Sequence, residues 1–163
     1  MKHLPKHLQP RWRYLAVGLE TWPDADIDRR SVQREVWFAA QNLLGDPGSA
    51  DVDLSVVRFE FDDGTGWAIV RARRGEVERA RAVLACLDGV DGDEIGLRVR
   101  GVSGTVRACE EKYIRRGPEP PEQRNVVFEN ATRRGVGRGG AVDVRTDDTR
   151  TDDAFVGATE LDL

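Results

Sequence analysis

Apolar and polar residues alternate with period two along residues 11–20, RWRYLAVGLE. Leu15, Val17 and Leu19 fall on one side, and Trp12, Tyr14, Ala16 and Gly18 on the other. That period predicts a half-buried strand. The period then lengthens. Val32, Val36, Ala39/Ala40 and Leu43 recur at helical spacing behind Asp28, whose carboxylate can accept from the free amides of a first turn, and Gly45 supplies a stop; a helix is predicted over 28–44. Asp46-Pro47-Gly48-Ser49 is read as a loop. Alternation returns over 52–62, with Val57, Phe59 and Phe61 on one face and Val56, Arg58 and Glu60 on the other. Asp63-Gly64 then marks a tight hairpin into a third strand, where Ala68, Val70 and Ala72 oppose Trp67, Ile69, Arg71 and Arg73. A second helix is predicted over 75–88, with Val77, Ala80, Val83/Leu84 and Leu87 inward. A fourth strand follows over 95–102, with Ile95, Leu97 and Val99 inward and Arg98 and Arg100 outward. A short third helix over 105–116 ends in basic residues, where the helix dipole favours them.

The order β-α-β-β-α-β followed by a helix predicts an α+β fold. This is an RRM-like or ferredoxin-like sandwich, a four-stranded antiparallel sheet with both helices on one face and a C-terminal helix besides. Residues 1–117 hold it. Residues 118–163 turn to Gly, Asp, Thr and Arg, with the local repeat RTDDTRTDD. They are read as an acidic, mostly disordered tail in which only Val126-Val127-Phe128 has packing value.

Charge sharpens that division. The 163 residues carry a formal net charge of −4, which by itself argues against a polyanionic partner. Residues 1–116 hold 19 basic and 19 acidic side chains, so the whole excess sits in the tail, with 6 basic against 10 acidic. Only Lys2, Lys6 and Lys112 are lysines among the 25 cationic side chains, a bias that points to a salt-adapted protein or a GC-rich coding sequence. Cys86 and Cys109 have neither a CxxC nor a zinc spacing. The N-terminus lacks a run of signal-peptide length and no window is apolar enough to span a membrane, so a reduced, cytoplasmic protein is expected.

Candidate chemistry lies on the outward face of the predicted sheet. Tyr14 with Trp12, Trp67 with Ile69, and Arg58, Arg71, Arg73, Arg98 and Arg100 combine aromatic planes that stack on unpaired bases with guanidinium groups that grip phosphates. Thr65-Gly66-Trp67-Ala68-Ile69-Val70-Arg71-Ala72 matches the main RNA-recognition signature at Gly66, Trp67, Ala68 and Val70 and departs at Thr65, Ile69 and Ala72. Loss of an aromatic at Ile69 favours binding of RNA shape or backbone over sequence reading, and a third helix lying across this face would turn Trp67 and Ile69 into core.

Other patterns carry less. Gly135-x-Gly137-x-x-Gly140 spells a dinucleotide fingerprint without the strand and helix it requires. His3 and His7 flank Pro5 and have no third ligand partner. Asp88, Asp91 and Asp93 lack calcium-loop spacing, and the GVSG at 101–104 follows a strand where a KH loop follows a helix. No nucleophile–base set is present, which makes an enzyme the least favoured class. A regulatory small-molecule-binding domain of ferredoxin-like shape is the competing class.

Two segments carry a family likeness. One is Leu4-Pro5-Lys6 through Arg11-Trp12-Arg13-Tyr14, a basic, proline-bearing lead into the first strand. The other is Leu97-Arg98-Val99-Arg100-Gly101-Val102-Ser103-Gly104-Thr105-Val106-Arg107, followed by Lys112-Tyr113. In this order the chain resembles archaeal ribonuclease P protein component 2 over about residues 2–116, most specifically at the Ser-Gly-Thr-Val-Arg turn. The resemblance implies a small subunit of the ribonucleoprotein that removes the 5′ leader from precursor tRNA. The RNA would carry the catalysis with bound magnesium, the protein itself would hold no cofactor, and a TIM-barrel-like protein subunit would be its partner. It further implies that Arg11, Arg13 and the Arg100–Arg107 turn face RNA or partner. The turn is chemically suited to this, since Ser103 and Thr105 offer hydroxyls at a helix N-terminus. The chain departs from the family in its scarcity of lysine, its acidic loop at 91–94 and its tail.

Overall fold

Leu15, Val17 and Leu19 are buried in strand β1 (Trp12–Thr21), and the side of the sheet they share is the one covered by two helices. The computed structural model describes residues 4–115, 121–146 and 154–159. The chain divides into two units, Met1–Gly117 and Pro118–Leu163. Both are mixtures of antiparallel strands with turns, and the described helices belong to the first.

In the first unit, β1 pairs on one side with β3 (Thr65–Arg73), which pairs with β2 (Ser55–Asp62). On its other side β1 pairs with β5 (Asp93–Ser103), all antiparallel. A two-residue strand β4 (Gly89–Val90) adds to β5, so the sheet has five strands in the order β2-β3-β1-β5-β4 where four were expected. Asp63 (φ 47°) and Gly64 (φ 76°) form the β2–β3 turn with both residues left-handed, the geometry that matches strand twist.

Helix α1 (Arg29–Val52) begins as expected at Asp28, whose Oδ1 accepts from the Ser31 amide at 2.7 Å. It does not end at Gly45. That residue leaves helical geometry (φ 69°), but the chain turns helical again through Asp46-Pro47-Gly48-Ser49, the stretch expected to be a loop. Pro47 lies in the first turn of the restarted segment, where its missing N–H costs nothing. Three side chains of α1 fasten the entry of β2. Gln33 accepts from the Val56 amide at 2.6 Å, and Arg29 and Trp37 donate to the carbonyls of Val56 and Leu54, each at 3.0 Å. Helix α2 (Val77–Ala85) is shorter than predicted and buries Ala80, Val83 and Leu84. The stripe of α1 runs Val32, Val36, Ala40 and then Leu44. Leu43, expected inward, is exposed.

Two bulges reset the alternation. One lies between Val56 and Arg58, so Val56, Phe59 and Phe61 face the helices while Val57 faces away with Arg58, which reverses the expected roles of the two valines. The other lies opposite Ala16/Val17, where β5 passes from Val99 to Gly101. Arg100 is the extra residue, and Gly101 and Ser103 face outward beyond it.

The second unit departs from the expected disorder. Strands β6 (Glu122–Phe128), β7 (Ala131–Arg138), β8 (Ala141–Thr146) and β9 (Ala154–Thr159) form an antiparallel meander in that order. Val126, Val142, Val144 and Ala158 make its small core. Its first two turns, Glu129-Asn130 and Gly139-Gly140, are left-handed at both residues, so they suit tight hairpins. Gly135 sits beneath Val126 and Val142, and the glycine pattern that spells a nucleotide fingerprint is strand and turn. Most of the repeat at 145–153 lies outside the described residues.

Candidate nucleic-acid interface

The outward face of the first sheet is not open along its length. Thr105 caps helix α3 (Val106–Cys109), its hydroxyl accepting from the Ala108 amide at 3.1 Å. The helix continues as a π-helical turn, Glu110–Ile114. Val106, Cys109, Tyr113 and Ile114 pack with Tyr14, Ala16, Val57, Trp67 and Ile69 into a second apolar cluster. Ile69 is fully buried, and Tyr14 and Trp67 are half-buried. Gly101 makes this docking possible, because a Cβ there would stand 2.2 Å from Tyr113 Cζ. The Cys109 thiol donates to the Tyr14 carbonyl at 3.6 Å. Its burial, with Glu110 adding a nearby negative charge, pushes that thiol up to about 11. The central aromatic platform expected from sequence is therefore core.

What remains open lies on either side of α3. In the row next to Ala16, Gly18 pairs with Trp67 on β3 and with Arg98 on β5. Arg100 reaches across from the bulge and lays its guanidinium over Gly18, where a Cβ would stand 2.8 Å from Nε. Arg100 Nε is buried without a hydrogen-bond partner, and among the described residues neither Arg98 nor Arg100 has a carboxylate partner. This row thus juxtaposes a half-buried indole and two arginines that form no ion pair among the described residues, one of them laid over Gly18, with Glu60 beside Trp67 at the far end of the row; the arginine end is suited to a phosphate and the indole to its neighbouring base.

At the opposite end, Arg71 and Arg73 stack on Trp12, their guanidinium carbons 3.9 and 4.4 Å from the ring centroid. Arg73 also meets Asp53 at 3.3 Å. Arg58 pairs with Glu110 at 3.6 Å, so that cation braces α3. Arg107 is exposed but reaches Glu111 at 2.9 Å, Lys112 is exposed on the π turn, and Ser103 is buried opposite Tyr14. Lys6 sits on an exposed single turn, Lys6–Leu8. Arg11 is exposed, with its carbonyl accepting from the Arg74 amide. Arg13 has the strand parity of Leu15 and extends the helix-side face toward Gly104. The sequence-predicted residues are therefore split. Trp67, Arg98 and Arg100 share one row, Arg71 and Arg73 gather at Trp12, and Arg13 lies on the other side of the sheet. Gly18 was not singled out as a site residue; its place in β1 opposite Trp67 was the available signal.

The sequence profile of the Rpp14/Pop5 family matches residues 13–114. The chain belongs to the Rpp14/Pop5 family. The matched span runs from the second residue of β1 through the π turn and contains every candidate residue named above except Lys6, Arg11 and Trp12. Among relatives, the Haloarcula marismortui protein named ribonuclease P protein component 2 is 65% identical over 163 residues, covering 100% of this chain and 99% of that protein. The Natronomonas pharaonis protein of the same name is 63% identical over 163 residues, covering 100% and 98%. The Methanosarcina mazei protein, also so named, is 36% identical over 114 residues, covering 70% of this chain and 93% of that protein. This Rpp14/Pop5 chain thus carries length that the Methanosarcina relative lacks. Among its described residues no helix is long and apolar enough to cross a membrane.

Proposed function

We propose that the protein is a subunit of ribonuclease P, the ribonucleoprotein that removes the 5′ leader from precursor tRNA, and that it supports the catalytic RNA without performing chemistry itself. The observation that carries this reading is likeness over essentially the whole chain to proteins named ribonuclease P protein component 2. The order β2-β3-β1-β5, with helices on one face, supports an RRM-like sandwich to which β4 and α3 are additions. In this reading the RNA meets the row of Trp67, Gly18, Arg98 and Arg100, with Arg107 of α3 and Lys112 of the π turn contributing further cations. Unpaired guanidinium groups, on a unit whose net charge is zero with them included, supply a local positive field. Arg11, Arg13 and Lys6 belong to the RNA- or partner-facing margin. Magnesium is held by the RNA, precursor tRNA is engaged indirectly, a TIM-barrel-like protein subunit is the partner, and the compartment is the cytoplasm.

Reconstitution tests this. Archaeal ribonuclease P RNA, inactive at low magnesium, should cleave precursor tRNA when the protein and its partner subunit are added together in concentrated salt. Absence of rescue under those conditions overturns the reading.

A further inference from the structure

The row of Glu60, Trp67, Gly18 and Arg98 carries opposite charge at its two ends. Arg98 and the Arg100 guanidinium over Gly18 form the cationic end. At the other end Glu60 stands directly across from Trp67 on the edge strand β2, exposed and without a cation partner among the described residues. Residues paired in this way hold their Cβ atoms about 5 Å apart, which puts the carboxylate within reach of the rim of the indole. In the next row Asp62 and Glu20 both pair with Thr65, and neither has a cation partner among the described residues. A charge on an edge strand ordinarily does no more than keep other strands away. Beside a ring on which a base can stack, a carboxylate also has hydrogen-bonding chemistry to offer.

Charge fixes how a nucleotide lies along this row. Glu60, Asp62 and Glu20 repel a phosphate from the Trp67 end, and Arg98 and Arg100 attract it to the other. A phosphate at Arg100, over β1, sends its base across Trp67 on β3 and the edge of that base toward Glu60 on β2. Two strand spacings, about 10 Å, separate β1 from β2, a span that one nucleotide covers from phosphate to base edge. The carboxylate then chooses the base, because both of its oxygens only accept. Of the four RNA bases, guanine alone presents two adjacent donors on its Watson–Crick edge, N1–H and the N2 amino group. Adenine and cytosine set a ring-nitrogen acceptor beside their amino group, and uracil flanks its N–H with two carbonyls, so the second carboxylate oxygen would meet a lone pair. We infer that Glu60 and Trp67 form a reading site for one unpaired guanine in an RNA strand, with Arg98 and Arg100 on its phosphate. Selection stops at one base because Ile69, in the adjoining row, is buried beneath α3. The inference deepens the ribonuclease P reading and rests on it for the presence of RNA.

Short fluorescein-labelled oligouridylates carrying a single guanine, inosine, adenine or cytosine supply the test, with the unsubstituted strand beside them. Each is titrated with the full chain and followed by fluorescence anisotropy. The guanine strand should bind about tenfold more tightly than the adenine, cytosine and uridine strands, the discrimination that a bidentate pair provides. Inosine, which lacks the N2 amino group, should bind more weakly than guanine. Glu60→Gln should bring guanine, adenine, cytosine and uridine within about threefold of one another, with circular dichroism and melting unaltered. Asp62→Asn removes the same charge one residue pair farther from the indole and should keep the preference. Free guanosine monophosphate has the same chemistry as the base in a strand, and it should displace the guanine strand only in about tenfold excess, since it lacks the neighbouring phosphates. The inference is overturned if no strand binds, if all bind alike, if inosine equals guanine, if folded Glu60→Gln keeps the preference, or if Asp62→Asn loses it equally. Displacement by the mononucleotide at equal concentration would overturn the assignment to RNA. Guanine preference without rescue of cleavage would sink the ribonuclease P reading and leave the base site standing; rescue without preference would do the reverse.

Discussion

Placing a methyl group on Gly101 should lift α3 from the sheet, and the size of the effect follows from the distances. A Cβ at this position would stand 2.2, 2.3 and 2.6 Å from three atoms of the Tyr113 ring. Ordinary contact needs the ring to retreat by more than 1 Å, and the π turn that carries it is anchored by Ile114 and by Cys109 on the Tyr14 carbonyl. Overpacking of this kind costs about 1–3 kcal/mol. Tyr113→Ala removes a half-buried ring and should cost about 1.5–2 kcal/mol, the lower part of the range for fully buried large side chains. In the Tyr113→Ala background the new methyl has room, so Gly101→Ala should become nearly neutral, giving a coupling of about 1–2 kcal/mol. The four tryptophans, at 12, 22, 37 and 67, all lie in the first unit, so urea unfolding followed by their fluorescence reads that unit alone. If the two substitutions add within about 0.5 kcal/mol, the ring does not rest on Gly101 and the covered sheet face is wrong.

Further outcomes follow from other contacts. Arg98→Glu with Arg100→Glu should abolish assembly with ribonuclease P RNA while leaving the melting temperature unchanged; unchanged assembly would move the contact elsewhere. The Asp28 carboxyl is held below its ordinary value first by the Ser31 amide, so its contribution is present above about pH 4 and lost as the pH falls further. Thermal melts of Asp28→Ala should accordingly fall below wild type at pH 7 and converge with it in acid. The raised Cys109 thiol works in the opposite direction: stability is complete below pH 9 and declines as the pH climbs toward 11. Urea midpoints across that range should fall more steeply for wild type than for Cys109→Ala. Finally, the scarcity of lysine and the acid excess predict a melting temperature that climbs with molar potassium chloride, and a flat response would refute salt adaptation.

The strands of the first sheet were legible because Leu15, Val17, Leu19 and Ala68, Val70, Ala72 keep strict alternation, and because Asp63-Gly64 has only one comfortable use. Bulges erase that legibility locally, since one extra residue flips every side chain after it. Val56 and Val57 exchanged roles for this reason, and Arg100 left its expected row to lie on Gly18. The α1 restart was missed because Pro47 and Gly48 carry the same signal whether they end a helix or begin one. In the second unit the polar composition masked a usable pattern. Val126 and Phe128 alternate, as do Val142 and Val144, and the turns between strands hold Glu129-Asn130 and Gly139-Gly140. The candidate site suffered most, because which residues of a sheet face stay exposed depends on where a later helix lands.

Two guanidinium groups stacked on Trp12 mean that this indole is already occupied. A purine or any other flat ligand that approaches where these guanidinium groups lie must displace an arginine, an exchange of one stacking contact for another worth about 0.5–1 kcal/mol at an exposed site. The evicted cation stays tethered to β3 a few ångströms away, free to meet whatever negative charge the newcomer brings. The ring thus selects for visitors that are both flat and anionic and discourages neutral aromatics.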